Sequence, residues 1–225
     1  MAGESGSEAE CAGLRAQAAR LSVTLTPRQA GQLLRLLAEL EQWNRAYNLT
    51  AIESRAQGWT HHVLDSLAAS GELRGARIAD LGTGAGFPGL PLAIAHPHCA
   101  FTLIDATAKK IRFVTHAART LRLGNVTAVQ ARVEALTGAP FDTVLARAVA
   151  ALPELVALAE PLCSAATRLI AYKGQYPTQE IAALPSTWRV SAVRTVHVPG
   201  ITAERCLVIL ERLAAPAAPG ALPGA

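Results

Sequence analysis

The 225-residue sequence predicts an α/β fold: a mostly parallel sheet with a helical cap before it and an antiparallel hairpin at its end. Three observations lead there. From residue 77 onward, apolar strand candidates alternate with helical stretches, the pattern of βαβ units. Two amphipathic helical segments precede the first strand candidate. The last two strand candidates follow each other with no helix between them.

Residues 1–20 are rich in Ala, Glu, Gly and Ser and predict a flexible N-terminus, frayed or loosely helical. Residues 21–75 predict the helical cap. Thr26 suits an N-cap, Pro27 the first helical position, and Gln29 completes a capping box. Leu33, Leu36, Leu37, Leu40 and Trp43 then recur at helical spacing. A second helix covers 60–70, with Val63, Leu64 and Leu67 inward. The main domain spans 76–213. Its strands are expected at 77–81, 101–104, 126–130, 141–146 and 169–172, with helices at 89–95, 108–121 and 152–162. The final strands, 193–198 and 206–210, are joined by a short turn containing Pro199 and Gly200. Residues 214–225, all Ala, Pro, Gly and Leu, predict a disordered tail.

Composition narrows the function classes. No apolar run reaches the length of a bilayer span, and the first ten residues are acidic without an apolar signal core. A cytoplasmic protein without membrane contact is expected. Cys11, Cys99, Cys163 and Cys206 are scattered and form no Cys-x-x-Cys pair, which suits free thiols in a reducing compartment. His61-His62 and His96-x-His98 are only pairs of histidines, short of a full ligand set, so no metal site is expected. The net charge of +4 is unevenly spread. Between Asp105 and Glu134 lie Lys109, Lys110, Arg112, Arg119, Arg122 and Arg132 and no acid. Such a stretch attracts phosphate, which points to nucleic acid, although a solvated helix face has the same composition.

The chemistry concentrates in Asp80-Leu81-Gly82-Thr83-Gly84-Ala85-Gly86-Phe87-Pro88-Gly89, between the first strand and its helix. A ligand there meets backbone N–H groups and the positive end of a helix, and glycines permit its close approach. Gly84-x-Gly86-x-x-Gly89 matches the dinucleotide fingerprint, so a nicotinamide cofactor is one reading. Asp80 favours another: a carboxylate two residues before the first glycine suits an amino-acid ammonium and opposes a pyrophosphate. Asp105, ending the second strand, suits ribose hydroxyls, which both cofactors carry. Loop and acid together favour S-adenosylmethionine, through Asp80, Gly82, Thr83, Gly84 and Asp105.

Later strand ends add candidates. Val133-Glu134 offers an apolar wall and a carboxylate to an adenine. Arg147 offers a planar cation at the end of the fourth strand. Neither Asn-Pro-Pro-Tyr nor a Cys occupies that place, which argues against methylation of exocyclic amines or pyrimidine carbons. Lys173 ends the fifth strand.

Together these residues resemble one family, the bacterial small-subunit ribosomal RNA guanine-N(7) methyltransferases, named RsmG and earlier GidB. The matching segments are Trp43-Asn44-Arg45-Ala46-Tyr47-Asn48-Leu49-Thr50, His62-Val63-Leu64-Asp65-Ser66-Leu67, the glycine loop, Leu103-Ile104-Asp105, Arg132-Val133-Glu134, Arg147-Ala148 and Lys173-Gly174-Gln175. The resemblance implies a Rossmann-like class I methyltransferase fold with a seven-stranded sheet. It implies methyl transfer from S-adenosylmethionine to a guanine in the decoding-region loop of 16S rRNA, free or in a small-subunit particle. It carries cofactor contacts to Gly82, Phe87, Val133, Glu134 and Arg147. The site is expected to lack an acid–base pair, because guanine N7 has a free lone pair at neutral pH; no catalytic residue is singled out. Lys109, Lys110, Arg112 and Lys173 are expected to meet RNA phosphates, His62 to orient the cap, and the protein to act as a monomer. A dinucleotide-dependent oxidoreductase and a non-catalytic RNA-binding assembly protein are the competing readings.

Overall fold

The computed structural model describes residues 2–51 and 57–213, residues 2–7 as backbone alone. The N-terminal stretch forms a continuous helix, α1 (Ala2–Ala19), where composition predicts a frayed segment. The reason is tertiary. An isolated helix of this length is marginal in water, but Leu14 and Ala18 are fully buried in the same cluster as Leu33 and Leu37. The Trp59 indole N–H also donates to Gln17 Oε1 at 3.0 Å.

Helix α2 (Pro27–Tyr47) begins with the expected capping box. Gln29 N donates to Thr26 Oγ1 at 3.2 Å and Thr26 N to Gln29 Oε1 at 2.8 Å. The Gln29 amide also donates to Ile94 O at 2.9 Å, joining the helix start to the main domain. The helix ends at Asn48, which is left-handed. Asn44 organises the exit: its Oδ1 accepts from Leu49 N and Thr50 N at 2.6 and 2.9 Å. That gives the Trp43–Thr50 segment a structural role. Helix α3 has a π-helical part, Gly58–Leu64, running into an α-helical part, Asp65–Leu67. Val63, Leu64 and Leu67 are fully buried, as their spacing predicts.

The remaining strands and α-helices are β1 (Arg77–Leu81), α4 (Gly89–Ala95), β2 (Ala100–Asp105), α5 (Ala108–Thr120), β3 (Val126–Gln130), β4 (Thr143–Arg147), α6 (Leu152–Ala159), β5 (Arg168–Lys173), α7 (Thr178–Ala182), β6 (Trp188–Thr195) and β7 (Cys206–Arg212). The seven-stranded sheet has the order β3-β2-β1-β4-β5-β7-β6, and only β7 runs against its neighbours. Strand β7 lies between β5 and β6. The expected hairpin is therefore present, but β6 starts at Trp188 and ends at Thr195, earlier than the 193–198 predicted. Its connection to β7 is a long loop rather than a short turn. The sequence signal was weak because β6 is an edge strand with polar Arg189, Ser191 and Arg194 and a bulge between Val190 and Ala192.

One apolar cluster, with Leu90, Phe101 and Phe113, joins the sheet to the cap helices, α4 and α5. The other, with Ile104, Leu152, Leu169 and Leu210, packs α6 on the opposite face. Strand β1 pairs with β2 on one side and β4 on the other, so chain connections diverge at the carboxyl ends of these strands. Open α/β sheets bind ligands at that divergence. Among the described residues no helix is long and apolar enough to cross a membrane. The predicted tail, 214–225, lies outside them.

Candidate functional site

A cavity of about 680 Å³ opens at this divergence. Of the sequence-predicted residues, Gly82, Thr83, Gly84, Phe87, Lys110, Arg147 and Lys173 line it. Asp80 and Asp105 stand behind its wall and shape the loop. Asp80 is fully buried. Its Oδ2 accepts from Thr83 Oγ1 at 2.5 Å and from Gly89 N at 2.8 Å, while its Oδ1 has no partner. Burial pushes its pKa up to about 7 against the opposing pull of these two hydrogen bonds. Asp105 Oδ2 accepts from Gly84 N at 3.0 Å and its Oδ1 from Thr107 N at 2.8 Å. Lys110 Nζ lies 3.6 Å from the same Oδ2.

The loop requires its glycines for different reasons. Gly82 has φ +66, and a Cβ there would stand 2.8 Å from Val149. Gly84, at φ +59, faces open space, the condition for a ligand to approach the backbone. A Cβ on Gly89 would meet Asp80 Oδ2 and Leu103 at 2.7 Å.

Helix α3 closes the cavity from the cap side. His62 stacks on Phe87 with ring centroids 4.5 Å apart, and its Nε2 lies 3.1 Å from Thr50 Oγ1. Burial, then the nearby Arg147 and His61, hold its pKa down at about 4, so the ring is neutral at pH 7. Arg147 donates to His61 O at 2.9 Å and Asp65 Oδ2 at 2.8 Å. Arg205, in the β6–β7 loop, donates to Asp65 Oδ1 at 3.2 Å. Asp65 thus ties cap, β4 and terminal hairpin together around the cavity. Tyr172 adds a fourth tie, donating to Ser66 O at 2.7 Å.

Sequence reasoning missed the part played by Asp65, Arg205 and Tyr172. For Asp65 a signal existed: His62, Asp65 and Ser66 are polar residues one turn apart, set among apolar Val63, Leu64 and Leu67. Arg205 sits in an irregular loop, and no local pattern marks it.

Other candidates lie elsewhere. Val133 is buried in a short turn after β3 and Glu134 is exposed; neither lines the cavity. Lys109 Nζ donates to Tyr47 O at 3.0 Å, capping the end of α2, and Arg112 is exposed on α5. Lys173, although on the cavity wall, is committed to Glu180 Oε2 at 2.7 Å and Ala150 O at 3.1 Å. Cys99, Cys163 and Cys206 are buried free thiols, Cys11 a half-buried one. The His96 and His98 rings are 5.8 Å apart, and the described residues contain no group of three or more His, Cys, Asp or Glu placed to hold a metal.

Residues 29–208 match the model of the family GidB, rRNA small subunit methyltransferase G. The chain belongs to this family. It is 43% identical over 193 residues to a ribosomal RNA small subunit methyltransferase G from Alteromonas mediterranea, covering 85% of this chain and 92% of that one. The protein of the same name from Nitrosococcus oceani is 46% identical over 191 residues, covering 84% and 89%. Among solved structures, a putative O-methyltransferase from Klebsiella pneumoniae superposes with a TM-score of 0.53 at 15% identity, covering 80% of this chain and 90% of that one. The ribosomal protein L11 methylase from Lactobacillus delbrueckii subsp. bulgaricus gives 0.51 at 14%, covering 67% and 77%. These structures share the class I methyltransferase fold. Family and fold favour the methyltransferase reading of the glycine loop over the oxidoreductase one.

Proposed function

We propose that this methyltransferase moves a methyl group from S-adenosylmethionine to N7 of a guanine in the decoding-region loop of 16S rRNA, acting as a monomer on the RNA or its small-subunit particle. The observation that carries the proposal is the convergence of the glycine loop, Phe87 and Arg147 on one cavity in a chain of this family.

The residues present fit the cofactor. Gly84 leaves room for a ligand against its backbone, and the unpartnered Oδ1 of buried Asp80 is an acceptor in want of a donor. Asp105 retains lone pairs for ribose hydroxyls beyond the N–H groups it already accepts. Gly82, Thr83, Gly84 and Phe87 would hold the amino-acid and sulfonium parts, with Arg147 beyond them; Val133 and Glu134 would flank the adenine after a local rearrangement. When bound, the cofactor supplies an electrophilic methyl group.

The protein's own contribution is alignment. Guanine N7 needs no base to expose its lone pair, and the cavity offers none suited to the task. His62 is neutral, buried and stacked, and Asp65 is bound by two arginines. Methylation leaves a cationic purine, which a free guanidinium beside it would oppose. Arg147 is turned into Asp65 and His61 O, so its charge is largely offset and it holds the cap in place. Lys110 stands at the mouth, where a phosphate of the extruded nucleotide would pass. Mapping N(7)-methylguanine in 16S rRNA from cells with and without the protein tests the proposal. A difference at one decoding-region guanine is expected; no difference at any guanine refutes it.

A further inference from the structure

Exposed arginines on this protein differ in whether a carboxylate stands beside them. Arg35, Arg74, Arg189 and Arg194 each have a carboxylate within 3.5 Å, and Arg45 has one at 3.6 Å. Arg15, Arg20, Arg28, Arg77, Arg112, Arg119, Arg122 and Arg132 are exposed and have no ion pair among the described residues, Arg15 and Arg77 donating to backbone carbonyls instead. Four of them, Arg28, Arg112, Arg119 and Arg122, are grouped along α5 and at its end. Arg112 and Arg119 are seven residues apart on α5, which puts them on one stripe of the helix. Arg119 and Arg122 line a groove of about 400 Å³ beside the edge strand β3. Arg122 and Arg28 line an adjoining groove of about 540 Å³ between the start of α2 and the turn after α5. Neither groove has an Asp or Glu in its walls.

Arg122 has a further peculiarity. It terminates α5 in a left-handed conformation, φ +55, with Leu123 N donating back to Ala118 O at 2.8 Å. Glycine is the usual residue there, because a side chain is disfavoured at positive φ. The neighbouring Gly124 shows that glycine is at hand two residues on. A large cation thus stands at a place that local backbone preference would give to glycine, on the shared wall of both grooves.

We propose that these grooves form a second RNA-docking surface, in which Arg28, Arg119 and Arg122 bind backbone phosphates of the rRNA flanking the target loop. Charge complementarity selects the occupant: three unpaired guanidinium groups without a compensating acid match a polyanion with repeating phosphates. The surface is at the far end of α5 from Lys110. The ten helical steps from Lys110 to Thr120 span about 15 Å, and Arg112 lies along the way. A nucleotide entering the cavity at Lys110 and a helix resting on Arg119, Arg122 and Arg28 therefore belong to one continuous RNA. The three lysines nearer the cavity are partly engaged by Tyr47 O, Asp105 and Glu180, whereas the guanidinium groups of this distal surface are not. The inference rests on the proposed rRNA substrate.

The test compares wild type with the variant Arg28→Ala, Arg119→Ala, Arg122→Gly. Arg122→Gly removes the charge while suiting the left-handed backbone, so it leaves the fold intact or more stable. Binding to a 16S rRNA fragment that includes the flanking helices is measured from low to moderate salt, alongside S-adenosylmethionine binding and steady-state methylation of the small-subunit particle. Expected are a loss of RNA affinity of at least about tenfold and a salt slope reduced by about two to three, one unit or slightly less per phosphate contact. KM for the particle rises, with kcat and cofactor affinity unchanged. Wild-type methylation with an unaltered RNA affinity and slope in the variant overturns this inference alone. A wild type that neither binds nor methylates rRNA overturns the proposed function beneath it. Weakened binding to the particle with naked RNA unaffected puts a ribosomal protein in the grooves and overturns the assignment to RNA.

Discussion

Gly89→Ala probes whether Asp80 and the glycine loop are packed as tightly as the structure indicates. Gly89 has an ordinary helical backbone, so alanine brings no dihedral strain. Its Cβ would stand 2.7 Å from Asp80 Oδ2 and 2.7 and 3.0 Å from two atoms of Leu103. Asp80 and Leu103 are both fully buried, leaving neither an exit. Overpacking of this kind costs about 1–3 kcal/mol, and disturbing the bond from Gly89 N to Asp80 adds about 1 kcal/mol. A total of roughly 3 kcal/mol lowers the melting temperature of a chain this size by about 6–12 °C. Gly84→Ala is the contrast. Its Cβ meets nothing within 4 Å, and only its positive φ is penalised, at about 1–2 kcal/mol. Thermal unfolding of both variants, paired with S-adenosylmethionine titration, separates the effects. Gly89→Ala is expected to melt lower, and Gly84→Ala to lose more cofactor affinity than its stability loss explains. A Gly89→Ala protein melting within about 2 °C of wild type would refute the close packing around Asp80.

Asp80→Asn tests the raised carboxyl pKa. Because the folded value, about 7, exceeds the unfolded 3.8, Asp80 contributes a loss of stability as pH rises from about 4 to about 7. His62, lowered from 6.5 to about 4, acts the opposite way in that window, so the informative quantity is the difference between wild type and Asp80→Asn in urea unfolding at each pH. That difference should grow in favour of the variant as pH rises; a flat difference removes Asp80 as the cause. Asp65→Asn leaves Arg147 and Arg205 without their shared counter-charge. Their side chains are 17% and 27% exposed, so water offsets part of the penalty, and a destabilisation of about 1–3 kcal/mol is expected by denaturant unfolding. An unchanged midpoint would mean that Asp65 does not tie the cap to the sheet. Lys109→Ala with Lys110→Ala is expected to weaken binding to rRNA fragments and lower its salt slope by about one to two. Unaltered affinity and slope would take the mouth of the cavity out of the docking surface.

Much of this protein was legible in its sequence, for local reasons. The capping box of Thr26 and Gln29, the stripe from Leu33 to Leu40, and the alternation of strand and helix from residue 77 depend on periodicity and on side chains within a few residues of each other. The glycine loop is local too, since Gly82, Gly84 and Gly89 answer backbone and packing demands at a single strand–helix turn. Composition misled at α1, where Leu14 and Ala18 turn a marginal helix into part of the core through contact with α2. Register was lost at β6, because an edge strand needs no apolar alternation to remain paired on its inner side.

The sequence by itself determined the fold class, the position of the loop and the residue types at the strand ends. Only the tertiary structure decided which of those residues face one cavity. It put Asp80 behind the wall instead of in it and left Val133 and Glu134 outside. It drew Arg205 from a distant loop to share Asp65 with Arg147. Burial and charge pairing depend on neighbours remote in the chain, so no local pattern carries them. That is why the same glycine loop fits two cofactors on paper, while the folded protein assembles a particular set of partners around it.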